Sequence, residues 1–208
     1  MSVKVKICGI TSVADGVAAA EAGADMIGLM FYERSPRNIS ITAAAEISRA
    51  LSPFIVKVGV FVNPTEDAVL RAIGDCGVTL LQFHGEETPE FCTQFGVMSM
   101  KAFRVRDAES LTALPNYPTD AYLLDAYSPD AHGGTGAKFN WDLAIEAKKQ
   151  GRPIFLAGGL TPENVGAAVQ KVQPFGVDVS SGVEAAPGKK DPAKVKNFIK
   201  AVRESQAT

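Results

Sequence analysis

Short runs rich in Val, Ile, Leu and Phe alternate with Ala-, Glu- and Lys-containing stretches of helical period from one end of the chain to the other. That alternation is the signature of parallel βαβ units. The runs that read as strands are Val3 to Cys8, Met26 to Phe31, Ile55 to Val62, Thr79 to Phe83, Ser99 to Phe103, Ala121 to Asp125, Ile154 to Ala157 and Gly176 to Val179. Helical stretches include Ser12 to Ala22, Ile41 to Leu51, Thr65 to Asp75, Trp141 to Gln150, Pro162 to Val172 and Pro192 to Val202. The punctuation agrees: Asn63-Pro64, Thr161-Pro162 and Asp191-Pro192 open helices, and Gly23, Gly77 and Gly151 stand just past helix ends. An α/β fold follows, a single-domain (β/α)8 TIM barrel over residues 1–208, small for its kind. A doubly wound open sheet fits less well, because the alternation runs through so many strands. In such a barrel the active site is built from the loops after the strands' C-terminal ends.

Composition narrows the possible partners. With 46% hydrophobic and 21% charged residues the chain has the make-up of a compact globular protein and not of a disordered one. A formal net charge of -2 lacks the basic excess needed to grip a nucleic-acid backbone. The start has no long apolar leader, and no later run is apolar enough to span a bilayer, so a cytoplasmic protein is expected. Cys8, Cys76 and Cys92 are odd in number and show no close-set pairing, which argues against a disulfide framework or a zinc cluster.

The candidate chemistry stands where the barrel rule says to look. The first strand ends at Cys8, whose thiol falls at the barrel mouth, although a lone Cys is more often inert packing. After the second come Arg34 and Arg37 around Ser35-Pro36, planar cations suited to a carboxylate. The sixth ends at Asp125, a carboxylate directly behind an apolar run where water is partly excluded and its pKa could rise. Ser128 to Gly136 then makes a glycine-rich loop able to close over a ligand. Gly158-Gly159 after the seventh strand, and Ser180-Ser181-Gly182 leading into a short helix after the eighth, can aim backbone N–H groups at a phosphate dianion. His84 also falls at a strand end, but it and His132 lack metal-ligand spacing. Trp141 reads as packing on the outside of the barrel.

Taken together the chain resembles the phosphoribosylanthranilate isomerase family along nearly its whole length. The motifs are Lys6-Ile7-Cys8-Gly9-Ile10-Thr11, Ser35-Pro36-Arg37, Val58-Gly59-Val60-Phe61-Val62-Asn63, Gln82-Phe83-His84-Gly85, Leu124-Asp125, Gly133-Gly134-Thr135-Gly136, Ala157-Gly158-Gly159-Leu160 and Val179-Ser180-Ser181-Gly182-Val183-Glu184. The resemblance implies an Amadori rearrangement of a sugar phosphate carrying anthranilate, without cofactor or metal. It implies Asp125 as general acid and Cys8 as general base, Arg37 on the anthranilate carboxylate, and Asp178 on the sugar hydroxyls. Gly158, Gly159, Ser181 and Gly182 would hold the phosphate, with His84 as a wall of the site. The expected partner is the small sugar-phosphate substrate, with no nucleic acid and no membrane, and the chain is read as a monomer. Two rivals remain: the aminoimidazole carboxamide ribotide isomerases, which carry Asp where Cys8 stands, and a non-catalytic phosphate-binding barrel.

Overall fold

A computed structural model of the chain describes residues 2–126 and 141–206. Eight parallel strands close into a barrel: β1 Lys4–Cys8, β2 Met26–Met30, β3 Val56–Phe61, β4 Leu80–Phe83, β5 Met98–Val105, β6 Ala121–Ala126, β7 Ile154–Ala157 and β8 Gly176–Val179, with β8 pairing back onto β1. Each lies within a residue or two of its expected run, save that β5 extends on to Val105. The helices are α1 Val13–Glu21, α2 Ile41–Ala50, α3 Glu66–Cys76, α4 Pro89–Thr93, α5 Trp141–Ala147, α6 Val165–Val172 and α7 Pro192–Glu204. Between β5 and β6 stand two single 3-10 turns, Glu109–Leu111 and Leu114–Asn116. Pro115 and Pro118 lie in that segment and deny a longer helix its backbone donors.

Period-2 alternation explains both layers of the core. Inward-facing residues such as Cys8, Val58, Val60, Met100, Leu123 and Phe155 fill the barrel. Their neighbours Ile7, Ile27, Leu29, Leu81, Leu124, Leu156 and Val177 face the helices and form one cluster with them. Trp141 is half-buried against that outer cluster, as expected.

Helix starts follow side-chain caps more closely than prolines. Asp191 accepts from the N–H groups of Ala193 and Lys194, with Pro192 in the first turn of α7. By contrast Thr65, one residue past Pro64, caps α3 through Ala68 N–H. Thr161 and Pro162 precede α6 by a further turn, so that start was read early. After β8 the chain makes a 3-10 turn, Ser181–Val183, and then a hairpin of β9 Glu184–Ala186 and β10 Lys189–Lys190. The short helix expected there is this turn and hairpin, which fold back over the barrel mouth.

Candidate active site

Strand register assembles the first half of the site. Lys6 on β1 pairs with Asp178 on β8, and Cys8 pairs with Gly28 on β2. The Lys6 ammonium donates to Asp178 Oδ1 at 2.9 Å, with both groups buried. Gly28 leaves the room they need: a Cβ there would sit 2.8 Å from Cys8 Sγ and 3.0 Å from Lys6 Nζ. Burial opposes the charge on Lys6, but Asp178 and Cys8 outweigh it and its pKa stands above the ordinary lysine value. Burial likewise pushes the Cys8 thiol up, and the nearby Lys6 only partly offsets that. Burial thus works against the thiolate that a proton-abstracting Cys8 would have to form.

A second charged cluster covers the same mouth. The Arg37 stem crosses Gly9, where a Cβ would come within 2.5 Å of its Cδ and 3.1 Å of Ser180 Oγ. Its guanidinium donates twice to Glu184, Nε to Oε1 at 2.8 Å and Nη2 to Oε2 at 2.6 Å. Lys190 reaches the same carboxylate at 2.8 Å and Ser180 O at 3.2 Å. Burial raises the Glu184 pKa, but Arg37 and Lys190 overcome it and hold the carboxyl below the usual range. The side edge of the Arg37 fork, expected to be free for a substrate carboxylate, is thus taken by Glu184. Among the described residues no hydrogen bond engages its other edge, Nη1 with the second Nη2 proton.

Across the mouth His84 Nε2 stands 3.3 Å from Asp125 Oδ2, and Gln82 Nε2 stands 3.5 Å from His84 Nδ1. Asp125 is more open than its place behind an apolar run suggests, its side chain being 30% exposed. Arg104, exposed at the end of β5, is its register partner.

The last two loops meet over the mouth. Gly158 and Gly159 adopt φ of 83° and 65°, and a Cβ on Gly182 would collide with Leu160 O, so the two loops approach as only glycine allows. Among the described residues no hydrogen bond engages the N–H groups of Gly158, Gly159, Ser181 or Gly182. Ser180 Oγ beside them is buried without a partner. The arrangement is suited to an anion with several acceptor oxygens.

Comparison with known proteins decides what kind of barrel this is. The model of the N-(5'-phosphoribosyl)anthranilate (PRA) isomerase family matches residues 5–201. The chain belongs to this family. The N-(5'-phosphoribosyl)anthranilate isomerase of Citrifermentans bemidjiense is 59% identical over 94% of the chain and 95% of its own. A crystal structure of the Thermotoga maritima enzyme superposes with a TM-score of 0.92 at 42% identity, covering 97% of this chain and 99% of that one. A crystal structure of a phosphoribosyl anthranilate isomerase in complex with reduced 1-(o-carboxyphenylamino)-1-deoxyribulose 5-phosphate has a TM-score of 0.88 at 40% identity, with the same coverage.

Within this family barrel every singled-out site residue lies at the C-terminal end of a strand or in the segment just after it. Cys8 and Asp178 come together through Lys6, Asp125 meets His84, and the glycine loops after β7 and β8 meet each other. Gly133-Gly134-Thr135-Gly136 and His132 lie outside the described residues. Local sequence pattern assigns no role to Lys6, Glu184 or Lys190. A signal exists for Lys6: it shares Cys8's inward parity and stands between the apolar Val5 and Ile7, where a buried Lys demands a partner.

Proposed function

We propose that residues 1–208 act as one catalytic domain, a phosphoribosylanthranilate isomerase of tryptophan biosynthesis. It converts N-(5-phosphoribosyl)anthranilate to 1-(2-carboxyphenylamino)-1-deoxyribulose 5-phosphate. The observation that carries the reading is a thiol at the end of β1 and a carboxylate at the end of β6, facing one mouth in a chain of this family.

The N–H groups of Gly158, Gly159, Ser181 and Gly182 hold the phosphate, so that binding energy remote from the reacting carbons positions them. Asp178, with one oxygen on Lys6, takes sugar hydroxyls on the other. The free edge of Arg37 takes the anthranilate carboxylate, with Glu184 fixing the plane of the fork. Asp125 protonates the ring oxygen and the furanose opens to a Schiff-base cation. His84 walls the site and holds the Asp125 side chain. The cation acidifies the C2' hydrogen and favours a thiolate beside it, and Cys8 removes that proton. The enaminol formed then gains a proton at C1' as its C2' hydroxyl gives one up, which leaves the ketone.

The decisive assay follows the loss of the substrate's anthranilate fluorescence with EDTA present. Turnover is expected to be undiminished by the chelator. Unchanged fluorescence would overturn the activity, and inhibition by EDTA would overturn the metal-free mechanism. The histidine-pathway rival is disfavoured by Cys8, since that family places Asp there.

All of these groups come from one chain, so a monomer suffices for the chemistry. A related Thermotoga maritima structure, at 40% identity and a TM-score of 0.87, is of monomers made from a dimeric protein. Among the described residues no helix is long and apolar enough to cross a membrane, and we place the reaction in the cytoplasm.

A further inference from the structure

Five charged side chains gather at the mouth where the Cys8 thiol stands. Lys6 comes from β1, Asp178 from β8, Arg37 from the loop after β2, and Glu184 and Lys190 from the hairpin after β8. They are joined in pairs: Lys6 to Asp178 at 2.9 Å, and Arg37 and Lys190 both to Glu184 at 2.8 Å and below. A negative charge on Cys8 would favour Lys6, Arg37 and Lys190, while Asp178 opposes it and the Asp15 carboxylate reaches the Lys190 backbone N–H from α1.

Lys6 shares a confined space with the Cys8 thiol. Its Nζ and Cys8 Sγ lie 3.0 and 2.8 Å from the single point where a Gly28 Cβ would be, in a space that excludes even a methyl group. Its side chain is wholly buried, so no water competes with the sulfur for its protons. An ammonium has three donors, and among the described residues the one side-chain oxygen it meets is that of Asp178.

We propose that Lys6 is the positioning residue that holds Cys8 as a thiolate for proton abstraction, sharing its ammonium between the sulfur and Asp178. The inference rests on Cys8 being the base. It also gives Asp178 a second task, since a sugar hydroxyl donating to Asp178 weakens that carboxylate's claim on Lys6 and frees the ammonium for the sulfur. Substrate binding and thiol ionisation are thereby coupled. Burial raises the Cys8 pKa most, and among the charges Lys6 leads in lowering it while Asp178 opposes.

The test reads the thiolate directly and not through turnover. In a Cys76→Ser/Cys92→Ser background Cys8 is the only thiol. Its ultraviolet thiolate absorbance is titrated against pH, with Cys8→Ser as blank. Lys6→Met is expected to raise the midpoint by about one pH unit or more, about tenfold less thiolate at a given pH. Lys6→Arg should restore most of it. Because Lys6→Met strands the Asp178 carboxylate and can unfold the barrel, Lys6→Met/Asp178→Asn removes the pair together. Its midpoint should still lie above wild type, by less. A midpoint equal to wild type in the folded Met variants overturns the proposal. Cys8→Ala retaining full turnover would instead sink the base assignment, whatever the titration shows about Lys6.

Discussion

Three residues carry the sharpest tests of the mechanism. Cys8→Ala removes the proposed base and should cost on the order of 10²- to 10⁴-fold in turnover with product-analogue binding nearly intact. Near-wild-type rates in that variant would end the assignment. Asp125→Asn keeps the shape and removes the proton. It should be inactive on the substrate, yet exchange the acidic C1' hydrogen of the keto product with D₂O, followed by NMR. Exchange lost in Asp125→Asn but kept in Cys8→Ala would mean the two roles are reversed. For Arg37 the bidentate grip on Glu184 sharpens the expectation. Lysine can reproduce neither edge of the fork, so Arg37→Lys should raise KM strongly with the natural substrate. The penalty should vanish with a substrate analogue lacking the carboxylate, and an unchanged KM would place the anthranilate pocket elsewhere.

At the scale of elements, the site is made by pairs of strand ends and the loops they launch. Register alone brings Lys6 opposite Asp178 and Cys8 opposite Gly28. The loops after β7 and β8 touch where Gly182 meets the Leu160 carbonyl, with no room for a side chain. Gly182→Ala forces them apart and misaligns both sets of N–H donors. We expect KM to rise by at least about tenfold, roughly 1.4 kcal/mol of lost binding, with kcat changed far less. Competitive inhibition by inorganic phosphate should weaken in step. Wild-type inhibition by phosphate in this variant would show that the dianion sits outside these loops. The strands themselves were readable because parallel barrel strands are continuous apolar runs closed off by turn residues. Starts of helices were less so: proline marks a place where a helix can begin, but the side chain that caps it, Thr65 for α3, decides the residue.

For the whole molecule, closure joins the chain's first strand to its last helix. Asp25 accepts from Val5 N–H, Lys4 Nζ and Arg203 Nη2, while Arg203 also donates to Val3 O. Burial pushes the Asp25 carboxyl up, but those donors outweigh it and hold its pKa below the usual value of about 3.9. A carboxylate depressed in the fold lends stability above its unfolded pKa and loses it as pH falls through the folded one. Asp25→Asn should therefore lower Tm at neutral pH, with the gap to wild type narrowing below about pH 4. A gap constant down to pH 3, measured by circular dichroism, would show that the charge contributes nothing. The order of strands and helices, the barrel, and the strand ends bearing Cys8, Asp125 and the phosphate glycines follow from local pattern, because period and turn chemistry act within a few residues. Pairings such as Lys6 with Asp178, 172 residues apart, and Arg37 with Glu184, 147 apart, do not. They exist only once closure brings the ends of the chain side by side, and burial there then sets which charges a thiol, a fork or a substrate meets.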